Sequence, residues 1–174
     1  MSTPLTVLPD APDLASRIAR LVSVIGQEHY PSGDRAALRR WAPGQPIPLA
    51  FYRLWLRHLS DLPREAETEA WMALVWGIAT CGKNCHDPKR PWGQALAESG
   101  YAEARLERLL SAPEDVRLDL YMSAVRFLAA KGETFNWRDA AHFLLTQDAA
   151  KRDSLNRRMA TAYYRHLKVS NAKE

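Results

Sequence analysis

The amino-acid sequence predicts an all-α protein, a compact helical bundle that forms either one body or two helical lobes. Apolar residues recur at steps of three and four, which is the period of one face of an α-helix. No segment shows a convincing period-two alternation of apolar and polar residues, as a half-buried strand would. With 174 residues, 47% of them hydrophobic, the chain is long enough for one core or for two small lobes that share an interface.

Four helices are predicted in the N-terminal half. Leu14, Ile18 and Leu21 begin an amphipathic pattern. Pro43 enforces the end of the second helix, and Pro48 keeps the chain extended until the third begins. The fourth helix carries Trp71, Leu74, Val75 and Ile78 on one side, with Glu65 and Glu69 at its start, and Gly82 marks its end. The four predicted ranges are 13–27, 34–41, 49–59 and 64–80.

The segment 83–91 is predicted to be a basic loop. Asn84, Asp87, Pro88 and Pro91 are poor residues for a helix interior. Its three cations, Lys83, Lys89 and Arg90, are expected to be exposed. This loop is the best boundary between a possible N-terminal lobe, 11–82, and a possible C-terminal lobe, 92–168, of one domain that spans residues 1–174.

Five further helices are predicted after the loop. Ser111, with Pro113 two residues later, is a predicted helix start, and Asn136 is a predicted N-cap. Gly100 and Gly132 close helices. The last helix is expected to bury Leu155, Met159 and Ala162. The five predicted ranges are 93–98, 102–110, 114–130, 137–146 and 149–167.

Positive charge is concentrated at the C-terminal end. Residues 148–174 hold seven cations against three acids, a net charge of +4 that equals the formal net charge of the whole chain. Six polar or cationic residues of the last helix share one face, a ridge roughly 25 Å long: they are Lys151, Ser154, Arg158, Thr161, Arg165 and Lys168. This ridge is either an ordinary solvated face or a surface that meets successive phosphates.

A second basic cluster lies on the predicted helix 34–41. Arg35, Arg39 and Arg40 share this short helix with one acid, Asp34. Arg35 and Arg39 stand one turn apart and repel each other, and a bound anion would relieve that repulsion. Guanidinium groups also suit bidentate contacts to phosphate oxygens. The pattern favours binding of a nucleic-acid backbone, although exposed arginines also coexist without such a reason.

Tryptophans beside these cations have two interpretations. Trp92 follows Lys89 and Arg90 and is either a platform on which bases stack or the anchor that docks the loop on the core; the anchor is favoured. The other tryptophans lie in or beside apolar helical patterns and are predicted to be core or interface residues. They are Trp41, Trp55, Trp71, Trp76 and Trp137.

No motif indicates catalysis, a cofactor or a metal. Cys81, Cys85 and His86 provide too few ligands for a structural zinc site, and the two thiols are expected to be reduced. A nucleophilic Cys85 lacks a third orienting group. The acid pairs Glu103/Glu107 and Asp115/Asp119 are ordinary helix-face pairs, whereas a nuclease needs acids that converge on a metal. A small nuclease is therefore disfavoured.

Several short motifs together resemble a known family. They are 33–40, 50–54, 82–84, 93–110 and 135–137, and their order and spacing resemble the CasB family, the small subunit of the type I-E CRISPR surveillance complex Cascade. The resemblance covers about 33–167. It implies an α-helical, non-catalytic subunit that stabilises the hybrid between CRISPR RNA (crRNA) and target DNA, together with the displaced strand of the R-loop.

The resemblance also implies partners and site residues. The partners are crRNA and target DNA, the Cascade subunits CasA, CasC, CasD and CasE, and a second copy of this chain in a homodimer. Matching the family pattern nominates Arg39, Arg40, Lys83, Arg105, Arg126, Lys151 and Arg152 as backbone contacts, and the charge pattern adds Arg35 and Arg158. The alternative is a helical adaptor whose arginines meet acidic protein surfaces. No signal peptide is visible in the first ten residues and no run is long enough to span a membrane, so a cytoplasmic protein is expected.

Overall fold

A computed structural model describes residues 13–168, and within that range it is built from α-helices without a strand, which confirms the all-α prediction. The helices are α1 (Leu14–Ile25), α2 (Ser32–Arg40), α3 (Leu49–His58), α4 (Thr68–Cys81), α5 (Trp92–Glu98), α6 (Glu103–Leu110), α7 (Glu114–Ala130), α8 (Trp137–Leu145) and α9 (Ala149–His166). The signal-peptide expectation for residues 1–10 and the charges of Lys173 and Glu174 lie outside the described residues.

Helix α4 is the centre of the fold. Nine consecutive residues, from 71 to 79, are buried, so this helix is apolar around its whole circumference and must be covered on every side. It packs against α1, α2, α7 and α8. Gly77 allows the closest of these contacts, because a Cβ atom there would overlap the indole of Trp137 and the hydroxyl of Tyr121.

Helices α5 and α9 form the other extensive contact. Gly93 lies against the backbone of α9, and a Cβ atom there would collide with the carbonyl oxygen of Met159. The predicted buried stripe of α9 is only partly buried, since the one fully buried side chain of this helix is Tyr163. Its hydroxyl donates to the carbonyl of Tyr101 at 2.6 Å, an anchor that the apolar pattern did not predict.

One predicted helix start and one predicted capping residue were wrong, although α7 begins at Glu114 as predicted. The helix expected from residue 64 begins as α4 at Thr68, because a single 3₁₀ turn, Glu65–Glu67, precedes it. Ser111 does not cap α7, which begins after Pro113. The Ser111 hydroxyl instead donates to the carbonyl of Glu107 and so closes α6. Asn136 is confirmed as the N-cap of α8, where its side chain accepts from the amide of Arg138 at 3.0 Å.

The segment 83–91 is non-helical, as predicted, but it is fastened to residues 134–137. The amide of Asp87 donates to the carbonyl of Phe135 at 3.0 Å, and the amide of Asn136 donates to the carbonyl of Arg90 at 2.8 Å. The expected exposure of Arg90 was wrong, because its guanidinium pairs with Glu98 and Glu133 and only 19% of its side chain is exposed. This cation holds the loop in place.

One hydrophobic core receives side chains from both sides of the loop. Ile18, Leu54 and Trp76 precede it, Leu128 and Tyr163 follow it, and all of them belong to the same buried cluster. The division into lobes 11–82 and 92–168 stays a prediction. None of the described helices is long and apolar enough to cross a lipid bilayer.

Candidate nucleic-acid interface

The predicted arginines of α2 differ in what they contact. Arg35 donates through Nη2 to the carbonyls of Ile25 at 2.8 Å and Gln27 at 2.9 Å, so it closes the carboxyl end of α1. Arg39 is exposed and donates through Nε to the carbonyl of Ala79 at 2.9 Å. Arg40 is exposed, and within residues 13–168 no ion pair engages it. Helix α2 therefore presents Arg39 and Arg40 to a ligand more freely than Arg35.

Trp76 on α4 contacts two of the predicted site residues, the backbone of Arg39 and the side chain of Arg126. The guanidinium carbon of Arg126, on α7, lies 5.0 Å from the centroid of the Trp76 ring. The indole Nε1 of Trp76 donates to the backbone carbonyl of Arg39 at 3.1 Å. Trp76 and Ala79, to which Arg39 donates, are less than one turn apart on α4. The structure thus brings Arg39 and Arg126 to the same stretch of α4.

Arg105 continues this arrangement across α7. Its Nη2 lies 3.4 Å from the hydroxyl of Ser123, and its guanidinium carbon is 5.3 Å from the ring centroid of Phe127. Ser123 and Phe127 lie within one turn of Arg126 on α7, so Arg105 contacts the stretch of α7 that carries Arg126. The guanidinium also rests on the Tyr101 ring at 4.5 Å, which fixes its direction.

Sequence reasoning missed Lys131 as a member of this surface. Its ammonium lies 4.8 Å from the centroid of Phe127, the ring that Arg105 also covers, and it donates to the carbonyl of Ser99. The only signal in the sequence was a lysine next to Gly132 at a helix end, which is common and carries no binding information. We call Arg39, Arg126, Arg105 and Lys131 the cationic band; all four residues are exposed.

Lys83 lies just beyond the carboxyl end of α4, the helix whose Ala79 carbonyl accepts a hydrogen bond from Arg39 of α2. Its ammonium pairs with Glu28 at 3.3 Å, and the two side chains are 61% and 89% exposed. An exposed pair of this kind contributes little to stability and opens readily. Lys83 is therefore free to exchange its partner for a phosphate.

The polar face predicted on α9 is exposed, but the helix ends at His166 and Leu167 is extended, so Lys168 lies beyond the helical face. Its six members are exposed in the structure: Lys151, Ser154, Arg158, Thr161, Arg165 and Lys168. Ser154, Arg158 and Arg165 also line a shallow depression between α9 and Pro91, at the start of α5. We call this face the α9 ridge.

Arg152, the neighbour of Lys151, is turned inward. Its Nε donates to the carbonyl of Thr146 at 2.6 Å, and its Nη1 pairs with Glu114 at 2.9 Å. The pairing lowers the pKa of Glu114 below its usual value, mainly through the hydrogen bond with Arg152. Behind this pair Arg117 is buried, and burial lowers its pKa to about 10. These two arginines hold α7 against the junction of α8 and α9.

The motif 81–86 has a structural use. His86 accepts the backbone amide of Trp137 on Nδ1 at 3.1 Å, and the carbonyl of Cys85 accepts the indole Nε1 of Trp137 at the same distance. Burial raises the pKa of Cys81 to about 12 and that of Cys85 to about 11, so both stay protonated near neutrality. Within residues 13–168, no three His, Cys, Asp or Glu side chains are grouped to hold a metal ion.

The tryptophan predictions are resolved by burial. Trp92 is fully buried and stacks on Phe135, with ring centroids 5.8 Å apart, so it anchors the loop and offers no face to a base. The remaining five tryptophans are also buried, which confirms their assignment to the core: they are Trp41, Trp55, Trp71, Trp76 and Trp137.

The fold and surface together define an all-α protein that displays arginines and lysines from packed helices. Residues 34–164 match the family model described as CRISPR-associated protein Cse2, and the chain belongs to this family. The resemblance to CasB is thereby confirmed, and the family places the chain among the structural subunits of Cascade. No curated protein matches the chain.

Proposed function

We propose that this protein is a non-catalytic subunit of Cascade that binds the nucleic-acid backbone and stabilises the R-loop. It contacts the hybrid of crRNA and target DNA, and the displaced strand, without reading their sequence. It works in the cytoplasm as a homodimer beside CasA, CasC, CasD and CasE. Family membership supports the complex, and the resemblance to CasB supports the finer role.

The observation that carries the proposal is that the guanidinium groups of Arg39 and Arg126 contact the same stretch of α4, at Ala79 and Trp76. Two cations from different helices are held on one rigid helix, which limits the side-chain entropy lost when a phosphate binds. Arg105 and Lys131 extend the cationic band along α6 and α7. A row of fixed cations suits a polymer with regularly spaced phosphates.

Modest contacts are enough for such a role. An R-loop exchanges a DNA duplex for an RNA–DNA hybrid of nearly equal stability, so contacts to the backbone decide the balance. Base pairing determines the sequence specificity, while arginines bind phosphates with an affinity that depends on salt concentration. The cationic band, the exposed residues Arg40 and Lys83, and the α9 ridge are the surfaces that we assign to nucleic-acid binding, whereas Arg35 and Arg152 act mainly within the fold.

The test measures binding of the full-length protein to fluorescent single-stranded and duplex DNA and RNA over a series of salt concentrations. Two double variants remove band or ridge cations, R39A/R126A and K151A/R158A. The matched control, R57A/R64A, removes two exposed cations that precede α4, at the end opposite the band. We expect each test variant to flatten the log-log salt slope by about 0.7 to 0.9 for each phosphate that the protein no longer neutralises.

An unchanged slope in both test variants, with wild-type binding intact, would contradict this assignment of residues. Absence of binding by the isolated wild-type protein calls for the same variants in reconstituted Cascade, with R-loop lifetime as the measurement. Variants that join Cascade and form R-loops of wild-type lifetime would favour a protein adaptor with no nucleic-acid contact.

A further inference from the structure

A groove separates α6 from α9, and its lining residues are not among those proposed to bind nucleic acid. It is an open depression of about 830 Å³, bordered on the α6 side by Glu103 and Glu107, and on the α9 side by Asn156, Ala160 and Tyr164. The three α9 residues recur every four positions and so form a separate face of that helix, distinct from the α9 ridge.

The two helices are joined at the ends of the groove and stay apart between them. At one end the side-chain amide of Asn156 donates to the carbonyl of Leu110 at 3.1 Å. At the other end Glu103 lies beside the phenol of Tyr164 and raises its pKa. Between them the small side chain of Ala160 leaves the floor open. Asn156 and Tyr164 are about 12 Å apart along α9, which is about two helical turns.

The groove combines an apolar floor with an acidic wall. Leu106, 3% exposed, and Leu110 belong to the core or pack against it, while Tyr164 is 56% exposed. Glu103 and Glu107 are exposed and one turn apart, and among the described residues no cation lies within 4 Å of either carboxylate. The charged residues that line the groove are both acids, so the groove itself favours a cationic group.

We propose that this groove is a docking surface for a basic amphipathic helix of a neighbouring protein subunit in Cascade. The apolar residues of that helix lie on Leu106, Leu110 and Ala160. Its lysines or arginines, spaced one turn apart, meet Glu103 and Glu107, whose own one-turn spacing is about 6 Å. Tyr164 supplies an aromatic edge of the kind enriched at protein interfaces.

A photo-crosslinking residue locates the occupant. Ala104 lines the groove and is exposed, so benzoylphenylalanine at this position leaves the core intact. The variant is assembled with the other Cascade subunits and crRNA, irradiated, and analysed by mass spectrometry. We expect a crosslink to a protein segment in which lysines or arginines alternate with apolar residues at helical spacing. The same residue in place of Asp119 should give no such crosslink.

Charge reversal then tests the acidic wall. E103K/E107K should lower the apparent affinity of the subunit for the rest of the complex at least tenfold. The matched control is D115K/D119K, since this pair on α7 is also exposed, one turn apart and begins in the first turn of its helix. Reversing the crosslinked cations of the partner should restore assembly of E103K/E107K, a recovery that a misfolded variant would not show.

Three results would overturn the proposal. They are a crosslink to nucleic acid, a crosslink to a second copy of this chain, and equal assembly of E103K/E107K and the control. Failure of this proposal can be distinguished from failure of the proposed nucleic-acid binding, because binding of the isolated variants to DNA and RNA is measured independently of assembly.

Discussion

The indole Nε1 of Trp76 donates a hydrogen bond of 3.1 Å to the backbone carbonyl of Arg39. This bond fixes the end of α2 on the central helix α4. The guanidinium of Arg126 also rests on the Trp76 ring, so one buried side chain contacts the backbone of Arg39 and the charged group of Arg126. The guanidinium of Arg39 itself donates to the carbonyl of Ala79, so replacing Arg39 also removes a contact within the fold.

Reversing Arg40 or Lys151 to glutamate should leave the fold intact and weaken the R-loop. Both residues are exposed, so the far-ultraviolet helical signal should stay unchanged. A charge-assisted hydrogen bond contributes about 1.5 kcal/mol, so R-loop lifetime in reconstituted Cascade should fall about tenfold. R57E serves as the control for charge alone. Loss of the helical signal in R40E or K151E would contradict a purely surface role.

Lys151 and Arg152 should behave differently although they are adjacent. K151A removes an exposed side chain and should change the free energy of unfolding by less than about 0.5 kcal/mol. R152A removes the donor to Thr146 and the partner of Glu114, so it should cost about 1 to 2 kcal/mol. Urea unfolding of the two variants is the measurement. Equal stabilities would show that the internal contacts of Arg152 contribute nothing.

Alanine at Gly93 should destabilise the protein, while alanine at Gly33 should stabilise it. A Cβ atom at position 93 would meet the carbonyl of Met159 and push α9 away from α5, at a cost of about 1 to 3 kcal/mol. At position 33, within α2, nothing lies within 4 Å of the added atom, so G33A should gain about 0.5 to 1 kcal/mol. Urea unfolding compares them, and a neutral G93A would mean that the α5–α9 contact readily adjusts.

Stability should decrease in alkali partly through Cys85. Burial raises the pKa of this thiol from 9.0 to about 11, so the folded protein keeps a proton that the unfolded chain loses. The contribution is complete below pH 9 and is lost as the pH rises to about 11, with a total of about 2 to 3 kcal/mol. Unfolding of wild type and C85A should therefore depend differently on pH between 9 and 11. Parallel curves would contradict the shift.

Much of the fold could be predicted because its signals are local. The recurrence of apolar residues gave the helices, proline and glycine gave most of their ends, and Asn136 was recognised as an N-cap from its position alone. Starts set by less regular geometry were missed, such as the 3₁₀ turn before α4 and the role of Ser111 at the end of α6. A serine hydroxyl can bond a backbone group that precedes or follows it, and the sequence did not distinguish between the two at Ser111.

By itself the sequence determined the all-α class, the family and the faces of α2 and α9 that carry charge. Only the tertiary structure decided which cations are free. Arg152 pairs with Glu114, 38 positions away in the sequence, and Arg90 pairs with Glu133, 43 positions away. Helical periodicity relates residues three or four positions apart, so it predicts neither pair. The same packing brought Arg39 and Arg126 to one stretch of α4 and left a groove between α6 and α9. Periodicity fixes the face on which a side chain lies, whereas its partner depends on contacts between segments distant in sequence.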